Sequence, residues 1–233
     1  MPRPGRVQDP GRQVPRARFV EQPTPEARTL DRRARERGQG LVEFAAVVPF
    51  FLFLLLGMLE FGFVFDHELT LSYATREGAR VGAALANGGG PLGCGPGQSP
   101  NWTTVDAQII AAVQRVLASP GSPIALNRIS QIRIYKATAT GTEVTGKVNV
   151  WRYDPGGGPQ VDGRALDFSP QTVTWLACER NNGTPNPDSL GVSLQYAYQF
   201  VTPLASVAAF FGGGGPASLP LSDRTVMALN PTQ

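Results

Sequence analysis

Leu41–Phe65 reads LVEFAAVVPFFLFLLLGMLEFGFVF, an apolar run broken only by Glu43 and Glu60. At about 1.5 Å of helical rise per residue, it is long enough to cross a hydrocarbon core of about 30 Å. A helix of a soluble core keeps a polar face, and this one is apolar on every side between Phe44 and Leu59. The rest of the chain has to be arranged around a segment whose preferred solvent is lipid.

The flanks set its direction. Arg32, Arg33, Arg35 and Arg37 stand just before the run, and Asp66 and Glu68 come just after it. Arginines at the near end keep that end in the cytoplasm, so the chain beyond Phe65 is expected outside the plasma (inner) membrane. The charge is concentrated accordingly: residues 1–37 hold ten Arg against five acids, and the whole chain carries only +3. Six prolines among the first 25 residues and few apolar side chains point to a disordered tail. With Phe19 as its one aromatic, that tail offers no stacking platform, and nucleic acid is not expected as a partner. A cleaved secretory signal fits poorly. Its apolar region is short, whereas here the nearest small-x-small site, Ala84-Leu85-Ala86, lies far beyond the run.

Three short stretches carry a resemblance. Gly38-Gln39-Gly40-Leu41-Val42-Glu43-Phe44 opens the run, Gly57-Met58-Leu59-Glu60-Phe61-Gly62 closes it, and Ala74-Thr75-Arg76-Glu77-Gly78-Ala79-Arg80 lies outside. Together they resemble the TadE-like proteins of tight-adherence (Tad/Flp) pilus systems, most strongly over residues 37–86. The resemblance implies a minor pseudopilin or assembly factor. It also implies a basic leader removed by a prepilin peptidase between Gly38 and Gln39. Glu43 would then be the fifth residue of the mature chain, with Phe44 next to it, and would pair with the new α-amine of a neighbouring subunit. A carboxylate at the bilayer edge costs a few kcal/mol unless it is paired, which agrees with that role. Other pilins and the Tad secretion machinery are the implied partners.

The remaining motif residues are read from their positions. Glu60 falls near the outer interface, where it either reaches water or meets a partner. Pro49 lacks an N–H and predicts a kink or softened turn. Gly62 closes the second stretch. Beyond the membrane, Leu71, Ala74, Gly78, Val81 and Leu85 recur at spacings of three and four, so a helix continues with one partly small-residue stripe. Arg76, Glu77 and Arg80 lie off that stripe. Asn87-Gly88-Gly89-Gly90-Pro91 ends the helix.

A second helix is expected over Trp102–Pro120, with Thr103 or Thr104 as its cap. Strands are expected at Ile129–Tyr135 (with imperfect alternation), Lys147–Tyr153, Val173–Ala177, Gly191–Phe200 and Arg224–Leu229. Val192, Leu194, Tyr196, Tyr198 and Phe200 give the cleanest two-residue period. Ala205–Phe211 suits either the outer leaflet or a core turn. The fold class is therefore α+β and pilin-like: one N-terminal transmembrane helix prolonged outside, then a second helix and a small antiparallel sheet. The organisation is then a leader at 1–38, a membrane helix at 39–65, a helical extension at 66–87 and an outer domain at 88–233.

Cys94 and Cys178 both fall outside, where a disulfide is expected and two free thiols are the alternative. His67 is the only histidine, which excludes a Ser-His-Asp triad and any multi-histidine metal site. The glycine runs look like turns rather than phosphate cradles. No catalytic residue, metal site or cofactor is expected. The leading expectation is a non-enzymatic component of Tad/Flp pilus assembly that acts through lateral packing of its membrane helix and is incorporated in the surface fibre. An uncleaved, anchored assembly or binding protein is the first alternative, and an anchored enzyme a remote one.

Overall fold

A computed structural model describes the backbone of residues 25–203 and 218–230, together with Ser206, and the side chains of those ranges from Gly40 onward. Ala205–Phe211 lies outside the described residues except for Ser206. The chain divides into two compact units, residues 1–51 and 52–233. Helix α1 (Pro25–Leu85) belongs to both and continues through Pro49. It starts upstream of the Gly38–Gln39 junction, so residues 25–38, expected as disordered leader, are helical. Ala27, Arg28, Leu30, Arg32, Arg33, Ala34 and Arg35 are good helix formers, and their propensity explains the longer start.

Among the described residues of the second unit, α1 leads to α2 (Trp102–Leu117) and seven strands: β1 (Ile129–Ala137), β2 (Glu143–Tyr153), β3 (Gln160–Val161), β4 (Arg164–Ala165), β5 (Phe168–Val173), β6 (Ser189–Tyr198) and β7 (Leu219–Ala228). Five of them form an antiparallel sheet in the order β5-β2-β1-β6-β7, and β3 and β4 pair as a separate hairpin. This is the α+β arrangement expected. The imperfect alternation at the start of β1 has a cause: the β1–β6 register shifts between Ile129 and Gln131. Neither threonine caps α2. Its N-cap is Asn101, and the Thr104 hydroxyl instead donates to the Asn101 carbonyl at 2.9 Å.

The expected strand at Val173–Ala177 is not one. Strand β5 ends at Val173, and Asn149, on the buried face of β2, takes over from the ladder. Its Oδ1 accepts from the backbone N–H groups of Thr174 (3.0 Å) and Trp175 (2.9 Å), while its Nδ2 donates to the Trp175 carbonyl and to Asp106. Asp106 also receives Nη2 of the fully buried Arg180, whose guanidinium lies 4.6 Å from the Trp175 ring centre. A side-chain amide thus turns the backbone where pairing would have continued it.

The core lies between the sheet and the two helices. Ile109, Ile110, Val113 and Leu117 of α2 meet Ile132 and Ile134 of β1 and Leu190, Val192 and Leu194 of β6 in one buried cluster. Two glycines of α1, Gly78 and Gly82, permit that proximity. A Cβ on Gly78 would sit 2.5 Å from Val113 Cγ2, and one on Gly82 would be 2.9 Å from both Ile109 Cδ1 and Leu190 Cδ2. Cys94 and Cys178 form a disulfide with 5.1 Å between their Cα atoms, tying the loop after α1 to the turn after β5.

Gly78→Val is expected to overpack this seam and destabilise the second unit by about 1–3 kcal/mol. Gly62→Ala, with nothing within 4 Å of its new methyl group, is expected to be neutral or slightly stabilising. Thermal unfolding of the detergent-solubilised full chain separates the two. Equal melting temperatures for wild type and Gly78→Val would contradict the close seam.

Candidate functional site at the helix–sheet junction

Continuing the spacing of the α1 stripe backwards from Leu71 gives His67, Val64 and Glu60. The structure places all three against the sheet: Glu60 and His67 are buried, and Val64 packs on the core. Strand β6 supplies the opposing surface. Its two-residue period sends Tyr196 and Tyr198 inward, and the chain then turns through Val201 and Thr202.

Glu60 is only 3% exposed, and its carboxylate is surrounded by donors. Oε1 accepts from the Tyr198 hydroxyl and from the Val201 N–H at 3.0 Å. Oε2 accepts from the Thr202 N–H at 2.8 Å and from the Thr202 hydroxyl. One helical side chain therefore gathers the end of β6 and the turn beyond it. Charge-assisted bonds of this kind are stronger than neutral ones, and removing the acceptor would leave four donors unsatisfied.

Two further contacts extend the junction along α1. The His67 ring packs edge-on to Tyr198, with centroids 4.9 Å apart, and lies 5.6 Å from Tyr196, while its Nδ1 is 2.7 Å from the Phe63 carbonyl. Thr75, fully buried, donates its hydroxyl to Asp223 of β7 and lies 3.0 Å from the Thr225 hydroxyl. Burial, reinforced by the bond to Glu60, pushes the Tyr198 phenol well above its ordinary value. The geometry is that of a clamp: the Glu60 carboxylate and the Thr75 hydroxyl bond across from helix to sheet and the turn beyond it.

The residues singled out from the sequence are put to different uses. Glu43 and Phe44 are exposed on α1. Of the two alternatives for Glu60, water or a partner molecule, neither applies, because its partner is its own domain. Gly78 is buried in the α1–α2 seam, whereas Arg76 is exposed. Glu77 and Arg80 form a two-bond ion pair, at 2.6 and 2.9 Å, on the surface, and that guanidinium holds the Glu77 carboxyl below its usual range. Cys94 and Cys178 are joined. Gly38 and Gln39 lie within α1. Among the described residues, no three of His, Cys, Asp and Glu gather as a metal-binding group. His67, Thr75, Tyr198 and Thr202 do not stand out in the sequence as site residues. The stripe and the β6 period, taken together, do point to His67 and Tyr198.

The family model described as TadE-like protein matches residues 38–80, a block that carries Glu43, Pro49, Glu60, Gly62, Arg76, Glu77, Gly78 and Arg80. The β-rich part lies outside that match. No curated protein and no solved structure matches the chain. Among the described residues, one helix, in the part from Gly40 to Leu85, is long and apolar enough to cross a membrane, and its most apolar window is not buried by the rest of the chain.

Glu60→Ala is expected to destabilise the second unit by about 2–4 kcal/mol, and Tyr198→Phe by about 1.5–3 kcal/mol. Tyr198 titrates higher in the folded chain than the unfolded value of about 10, so its protonated phenol stabilises the fold fully below about pH 10 and that contribution fades as pH rises further. Denaturant midpoints measured from pH 8 to 11.5 should therefore fall less steeply for Tyr198→Phe than for wild type. Parallel curves would rule out the coupling.

Proposed function

We propose that the chain is a minor pilin-like, TadE-like membrane protein that takes part in assembling Tad/Flp pili through lateral packing of its membrane helix. The observation that carries this reading is the match over residues 38–80, a block in which the Gly38–Glu43–Phe44 start and the Glu60–Gly62 close share one helix of spanning length. In this reading the arginine-rich leader is cytoplasmic and the helix crosses the plasma membrane. The α+β unit is carried outside by the rigid prolongation of α1. A prepilin peptidase cuts after Gly38, Gln39 supplies the new amine, and Glu43 neutralises that amine in a neighbouring subunit, where low dielectric strengthens the pair. The chain itself performs no catalysis. Its contribution is shape and register.

A helix that runs without a break through Gly38–Gln39 also suits a second reading, a permanently anchored assembly protein that is never cut. Amino-terminal sequencing of the protein from its native membrane distinguishes them. A mature start at Gln39 is expected, together with loss of pili in Glu43→Ala and partial retention in Glu43→Gln. An intact Met1, with normal pili in both variants, would overturn the pilin-like mechanism and leave the anchored reading.

A further inference from the structure

The clamp decides which end of the sheet lies nearest the apolar run. Strand β6 passes back along α1 towards that run: Leu190 lies against Gly82, Val192 against Gly78, Tyr196 beside His67 and Tyr198 against Glu60. Strand β7 starts again at that level, where Leu219 pairs with Tyr198, and returns the other way. The turn Val201-Thr202-Pro203 is therefore held at the height of Glu60. The turn between β1 and β2 is at the opposite end of the sheet, since Ala137 pairs with Ser189. From Leu41 to Glu60 a helix rises about 30 Å, the thickness of a hydrocarbon core. A span that begins beside Arg37 thus ends where this turn is fastened.

The turn suits a medium that accepts no hydrogen bonds. Val201 and Thr202 both give their N–H to Glu60, the Thr202 hydroxyl goes to the same carboxylate, and Pro203 has no N–H. All the donors of these three residues are thereby accounted for. A turn in water has no need of this, because the solvent supplies acceptors, whereas an orphaned donor in lipid is heavily penalised. The side chains agree. Val201 is 63% exposed and Pro203 is exposed, and on α1 at the same height Met58 and Phe61 are 78% and 75% exposed. From Gln199 to Ser222 the sequence holds no Asp, Glu, Lys or Arg, so no charge resists entry. Exposed apolar side chains alone would suit a protein partner equally. Height and the closed set of donors select lipid.

We propose that the Val201–Pro203 turn enters the outer leaflet at the boundary of headgroups and acyl chains, so that the outer unit holds the lipid surface at a second point beside its helix. This contact rests on the membrane-spanning reading of α1 and adds to it a defined footing for the sheet. Glu60 then has two tasks. It fastens the end of β6, and it takes up the backbone donors that would otherwise keep the turn in water. A single helix leaves the unit free to tilt in any direction, and a second apolar point restricts that tilt. Lifting the chain out of the bilayer has to withdraw the turn as well as the helix.

The test uses the full chain, purified in detergent and reconstituted into vesicles of phosphatidylcholine and phosphatidylglycerol. Val201→Cys and, separately, Pro203→Cys carry an environment-sensitive fluorophore. Neither side chain takes part in the bonds to Glu60, and Cys94 and Cys178 are occupied by their disulfide. Emission from the turn is expected to be blue-shifted. Lipids brominated near the headgroup should quench it several times more than they quench the same label at the exposed Ala139→Cys, in the turn between β1 and β2. Lipids brominated at the chain ends should quench it less, and a label at Leu55→Cys, inside the span, should show the reverse preference. Quenching by the headgroup-proximal lipid at either turn site supports the contact. Quenching no stronger than at Ala139→Cys at both turn sites, while Leu55→Cys responds, would overturn the contact and leave the membrane helix in place. Blue-shifted emission that no lipid quenches would place protein over the turn and overturn it equally. Silence at Leu55→Cys as well removes the spanning reading, and the contact with it. None of these results depends on cleavage after Gly38.

Discussion

A carboxylate shut away from water must be surrounded by donors, and this requirement at Glu60 organises the outer unit. Two backbone N–H groups and two hydroxyls converge on it, all from the last residue of β6 and the turn beyond. The bonds determine where β6 stops and which face of α1 it meets. From there the inward period of β6 carries Tyr196, Leu194 and Val192 along the helix in step with His67, Leu71, Ala74 and Gly78. A shift of α1 by one residue would rotate Glu60 by about 100° and separate all four donors from their acceptor.

Polar and apolar contacts divide the labour. The seam of Gly78 and Gly82 lets α2 and β6 come close but would tolerate sliding, since apolar contact is not directional. Glu60 at one end and Thr75 further along remove that freedom, because hydrogen bonds to Tyr198 and Asp223 form in one register only. The Asp106–Arg180–Asn149 group, in which Arg180 and Asn149 are buried, plays a similar part between α2, β2 and the turn after β5. The result is a stalk joined to its sheet in one register, with the other side of the stalk, at Phe61, Phe65, Leu69 and Tyr73, exposed.

Much of this is legible in the sequence, and the failures have physical reasons. The membrane segment, α2, β1, β2, β6 and β7 are visible because apolar periodicity and glycine-rich breaks are local signals. The β3–β4 hairpin and the true extent of β5 are not, since Gln160–Val161 is too short for a period and Val173–Ala177 is apolar enough to imitate a strand. Strand β5 is ended by Asn149, an amide more than twenty residues away in the chain, and no window of local sequence contains that information. Glu60 misleads for a related reason. Its nearest chain neighbours are apolar, so it resembles an acid at an interface, and its four donors lie about 140 positions downstream. Extending the Leu71–Leu85 stripe three turns towards the N-terminus shows that Glu60 faces inward, though not which groups meet it there.

Strand β7 completes the sheet, yet it also closes on the stalk: Asp223 receives Thr75 from 148 residues earlier, and the Asn230 N–H donates to the Ala83 carbonyl at 2.9 Å. During synthesis the ribosome delivers α1 long before it delivers β7. The intervening helix and four sheet strands must therefore wait, incomplete along one edge, for a late-arriving piece to fasten them. A nascent chain of this design has a built-in checkpoint of completeness: any product stopped before β7 presents an open sheet edge and a bare threonine on its stalk.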